Sequence, residues 1–98
     1  MKAKVCENYD ELEHSEPGAI LPARNASGAI TTIIHRCPGC GEIGGLAVQR
    51  PLGGGPSWRM SGALTELTLS PSIVHAGTVH GGCGYHGFLV SGEWKPAT

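Results

Sequence analysis

The chain has 98 residues, a formal net charge of −1 and 40% hydrophobic residues, which bounds it to one small domain. Two Trp, two Tyr and one Phe against 16 Gly leave little apolar area to offset backbone ordering, so a metal or disulfide staple is expected. The seven Lys and Arg form no basic stripe, which argues against nucleic acid, and no segment approaches the ~20 apolar residues of a membrane span.

Residues 1–28 read as an N-terminal arm, partly ordered, and residues 29–98 as a zinc-binding β domain, the whole making a single domain. Five acidic residues, Glu7, Asp10, Glu11, Glu13 and Glu16, fall in the first sixteen positions. Val5, Tyr9 and Leu12 stand at the spacing of one helical face, and Pro17 ends any such helix. An irregular arm with one pinned strand around Ala19–Leu21 is the alternative. Met1 to Asn8 carries no apolar run and no cleavage pattern, so a reduced, cytoplasmic protein is expected.

Ala29 to His35 is rich in β-branched residues and predicts a strand. Gly45 to Arg50 predicts its hairpin partner. Pro51-Leu52-Gly53-Gly54-Gly55-Pro56 is a turn by composition. Ser57 to Met60 predicts a third strand and Leu64 to Leu69 a fourth, broken by Ser70-Pro71-Ser72. Ile73 to Gly82 reads as irregular. Gly87 to Val90, Ser91-Gly92 and Glu93 to Lys95 predict a closing hairpin. The fold class is therefore all-β, with small antiparallel sheets and two metal-binding knuckles, zinc-ribbon or Rieske-like. Trp58, Phe88 and Trp94 are expected in its core.

The chemistry concentrates in Cys37-Pro38-Gly39-Cys40-Gly41 and Cys83-Gly84-Tyr85-His86-Gly87. Each segment sets two soft ligands three positions apart and follows the second with Gly. Cys37, Cys40, Cys83 and His86 together make a complete tetrahedral shell for Zn2+. The same residues leave a [2Fe-2S] cluster open, because the second box offers the Cys and His of a Rieske box. In the first box, however, His35 precedes Cys37, the reverse of the Rieske order. His80 stands at the same gap before Cys83 and is an alternate ligand to His86. His35, expected at a strand edge beside the site, is another. Cys6 is unpaired and reads as a free thiol.

Four good ligands predict a closed, structural site. No Ser/His/Asp arrangement and no carboxylate pair is supported locally, so the chain is expected not to be an enzyme. Its proposed role is protein interaction, as a monomer or small homo-oligomer, with electron transfer as the alternative.

The order of motifs carries a resemblance. Glu16 to Leu21, His35 to Gly41, Trp58, Leu67-Thr68-Leu69-Ser70-Pro71-Ser72-Ile73, Cys83 to His86 and Gly92-Glu93-Trp94 resemble a family of short uncharacterised bacterial and phage proteins. The resemblance covers residues ~12–95 by its motif order. It implies a small metal-binding domain often carried by phages or mobile elements, with some members encoded near ubiquitin-like conjugation genes, and hence a host or phage protein as partner. The first box, Cys37-Pro38-Gly39-Cys40-Gly41, departs from the Cys-Gly-Cys-Gly form associated with that family. The Pro71-Ser72-Ile73 segment is expected to be a turn aiming the chain at the second box.

Overall fold

A computed structural model describes residues 1–48, 57–75 and 83–97. The described residues form one short helix, one 3-10 turn and seven strands in two antiparallel sheets, an all-β protein as expected. The first sheet has order β1-β2-β3, with β1 at Ile20–Arg24, β2 at Ile30–Arg36 and β3 at Ile43–Ala47. The second has order β4-β5-β6-β7, with β4 at Arg59–Ser61, β5 at Thr68–His75, β6 at Tyr85–Val90 and β7 at Glu93–Pro96.

Side-chain alternation fixes how the sheets stack. Ile33 on β2 and Leu46 on β3 face Leu69 and Ile73 on β5, Leu89 on β6 and Trp94 on β7, all buried in one cluster. On the other face of the first sheet, Leu21, Ile34 and Ile43 pack against Cys6, Leu12 and Ala19. Leu12 belongs to α1, Tyr9–Glu13, whose first turn is capped by Asn8 Oδ1 accepting the Glu11 amide at 2.8 Å. The layers thus run helix, three-stranded sheet, four-stranded sheet. Both faces of the first sheet are covered; among the described residues nothing covers the outer face of the second.

The N-terminal segment straps the two sheets together. Trp94 donates its backbone N–H to Met1 O, Lys2 bridges Glu93, and Val5 bridges Ile20. Arg36 ties the helix to the first cysteine turn, donating from Nη1 to Glu13 O and Ser15 O and from Nε to Gly41 O.

Four expectations change. Leu64–Glu66 is a 3-10 turn, not the start of a strand. The strand that follows runs straight through Ser70-Pro71-Ser72 to His75. It does so by a bulge: Leu69 pairs with Leu89 and Ile73 with Gly87, so four steps along β5 match two on β6. His35 lies on the central strand of its sheet and is buried, not at an edge. Phe88 faces solvent, because Gly87 and Leu89 take the inward positions of β6. The Pro51 to Pro56 turn and His80 lie outside the described residues.

Candidate functional site

The first cysteine turn hangs from the end of β2. Cys37 N–H donates to Glu42 O and Gly41 N–H to Cys37 O, closing a tight loop in which Gly41 adopts φ 79°. Cys83 enters from the second sheet, where Gly84 N–H donates to His75 O. The sulfurs of Cys37, Cys40 and Cys83 all lie within 4.8 Å of one another. Cys37 Sγ and Cys83 Sγ are 3.6 Å apart, close to the ~3.8 Å that two sulfurs ~2.3 Å from one tetrahedral ion require.

Further details fit a metal here. A Cβ at Gly39 would stand 2.8 Å from Cys83 Sγ, so this position needs Gly for the turns to meet. The Gly39 N–H points at Cys37 Sγ at 3.4 Å, the kind of donor that disperses thiolate charge. Burial pushes the Cys37 thiol up to about 11, against the lowering effect of the Cys40 and Gly39 amides. The backbone N–H of Tyr85 pulls the Cys83 thiol down. A buried thiol of this kind ionises readily only against a cation. The donor set therefore suits a thiophilic metal held by Cys37, Cys40 and Cys83.

His86 stands elsewhere. The strand β6 begins at Tyr85, whose ring turns inward to meet Trp94 edge-on at 6.3 Å. By the two-residue period His86 then turns outward. Its Nε2 lies 3.0 Å from Ser72 Oγ. In that hydrogen bond the hydroxyl donates when the ring carries its proton on Nδ1. The bulge in β5 brings Ser72 to this position, and Trp58 Nε1 donates to Ser72 O at 3.2 Å, holding the backbone beneath it. Ser72 is half-buried and His86 exposed. Among the described residues no carboxylate partners the ring of His86, so the pair is a dyad. A hydroxyl hydrogen-bonded to an imidazole nitrogen can be deprotonated as it attacks a carbonyl.

Sequence spacing gave no sign of this pair, since Ser72 and His86 sit fourteen residues apart on neighbouring strands. The available signal was the Leu67 to Ile73 motif, which carries two serines, Ser70 and Ser72, and no metal chemistry.

A second histidine pair lies between the sheets. His35 Nε2 and His75 Nε2 are 2.5 Å apart, with the rings edge to face. Burial, and then the neighbouring His75, push His35 down to about 4; burial also lowers His75. Among the described residues the buried Nδ1 of His35 meets no hydrogen-bond partner.

Residues 6–97 match the family described as bacterial ubiquitination-like system serine protease (BubE). No curated protein and no solved structure matches the chain. The match covers nearly the whole chain and fits the short bacterial family that the motif order resembles. It corrects the expectation of a non-enzymatic protein: the family is described by a protease activity. The expectation rested on the lack of a Ser/His arrangement close in sequence, and the fold makes one across strands. No helix among the described residues is long and apolar enough to cross a membrane.

Proposed function

The chain belongs to the bacterial ubiquitination-like system serine protease (BubE) family, and from that membership we propose that it is a serine hydrolase with Ser72 as nucleophile and His86 as general base. The observation that carries this is the 3.0 Å contact between Ser72 Oγ and His86 Nε2. Ser72 Oγ attacks the scissile carbonyl carbon as its proton passes to His86 Nε2. The imidazolium then gives that proton to the leaving amine as the C–N bond breaks, leaving an acyl-serine. Water attacks the ester, His86 takes its proton, and the acid product leaves with Ser72 restored. The substrate is a protein of the ubiquitination-like system, which replaces the host or phage docking partner with a protein held at this dyad.

On this reading Cys37, Cys40 and Cys83 hold Zn2+ and His86 is not its ligand, so the three thiolates leave one tetrahedral position to a further ligand. The ion supplies charge neutralisation and a cross-link between the two turns. A [2Fe-2S] cluster of the Rieske kind is disfavoured, because it needs a histidine from the second box and His86 is engaged by Ser72. Three cysteines gathered as metal ligands rather than paired as disulfides suit the cytoplasmic, reducing compartment proposed for the protein.

The test is labelling with a fluorophosphonate, which reacts with activated serines. One adduct per chain, mapped to Ser72 and lost in His86→Ala, is expected. Labelling that is absent, or unchanged in His86→Ala, contradicts the proposal.

A further inference from the structure

Among the described residues five large apolar side chains are notably exposed: Met1, Tyr9, Val74, Phe88 and Val90. Three of the five share the outer face of β5 and β6 with Ser72 and His86. Val74 is the direct cross-strand partner of His86. Phe88 is two residues along β6, its ring 6.3 Å from that of His86 and tilted by 33°. Val74 is 56% and Phe88 41% exposed. Neither contributes to the buried clusters. Adjacent exposed apolar groups on a small protein mark a contact surface.

The dyad limits what can occupy it. A carbonyl under attack must sit ~3–3.5 Å from Ser72 Oγ, so the substrate residues on either side of the scissile bond lie over this face. Resting on the hydrolase reading above, we propose that Val74 and Phe88 form a subsite for an apolar side chain flanking the scissile bond of an extended protein substrate. Lys95, opposite Phe88, and Glu93, opposite Val90, rim the patch with opposite charges. This rim gives no net preference for a charged side chain at its centre.

The test uses the full, metal-loaded chain and N-acetyl amino-acid p-nitrophenyl esters of Gly, Leu, Phe, Glu and Lys. Leu and Phe esters are expected to exceed the Gly ester in kcat/KM by about tenfold or more, the scale on which apolar pockets discriminate. Phe88→Ser should bring the Leu-to-Gly ratio near one, and Phe88→Leu should restore most of it. Equal rates across the series, or a preference for Glu, overturn the subsite if Ser72 still takes fluorophosphonate. If Ser72 takes no fluorophosphonate, the hydrolase reading falls and the subsite falls with it. A dimer in solution that Phe88→Ser dissociates also overturns it, assigning the patch to a second copy of the chain.

Discussion

The two sheets are used differently. The first is covered on both faces, by α1 on one side and the second sheet on the other. Among the described residues the second is covered on one face only, and its open face carries Ser72, His86 and the exposed Val74 and Phe88. A sheet buried on both faces offers neither face to a macromolecule; an open face on a supported sheet can meet a macromolecular substrate. The Cys83 to His86 box joins the two regimes. Cys83 turns to the thiol cluster beside the first sheet, while His86, three residues on, turns to the open face. Two neighbouring residue types that read as one metal motif are divided by the start of a strand.

The comparison breaks most completely at the cluster. Cys37→Ser removes the one buried thiol of the three, and structural zinc supplies about 10 kcal/mol or more of folding energy in small domains. Loss of the cooperative thermal transition is expected, and a chelator should reproduce it in the wild type. A variant melting like the parent would show that the thiols staple nothing.

On the open face the effect should be chemical alone. Ser72→Ala and His86→Ala should each lower hydrolysis by roughly 10³-fold or more, and the double variant little further, because the pair acts as a unit. Melting temperature should stay within a few degrees, which circular dichroism would check.

Core and surface substitutions sharpen the contrast. Ile33, fully buried between the sheets, should cost about 2–5 kcal/mol on change to Ala. Val74→Ser, on the open face, should stay within about 0.5 kcal/mol. Denaturant midpoints measure both.

The inter-sheet histidines add a pH dependence. His35 is held down to about 4 in the folded chain, against about 6.5 unfolded. Between these values the unfolded chain binds the extra proton, so stability rises with pH across that window and is fully present above it. As pH falls through the window, up to about 3 kcal/mol is lost. A His35→Phe variant that keeps its fold should show a flatter denaturation midpoint from pH 4 to 6.5; an unchanged slope would assign it to other groups.

How far this was legible in the sequence follows from which interactions are local. The strand Ile30–Arg36 and the closing hairpin declare themselves, since β-branched alternation and the Ser91-Gly92 turn, both at positive φ, act over a few residues. The two cysteine turns are equally local, and their spacing brought Cys37, Cys40 and Cys83 into view. β5 was hidden because Ser70-Pro71-Ser72 has the composition of a turn, while the structure absorbs it as a bulge in a continuing strand. The dyad was hidden for the same reason. Ser72 meets His86 only through that bulge and the β5–β6 register, neither of which follows from periodicity. The outward direction of His86 depends on where β6 starts, a boundary that a Cys-x-x-His spacing does not encode.

The most direct measurement is the zinc content of His86→Ala beside the wild type, each expressed with zinc and freed of loosely bound ion. The account predicts one zinc per chain in both, with hydrolysis lost only in the variant. A variant that folds but has lost its zinc would make His86 a metal ligand and contradict the division of the Cys83 to His86 box between a metal centre and a catalytic pair.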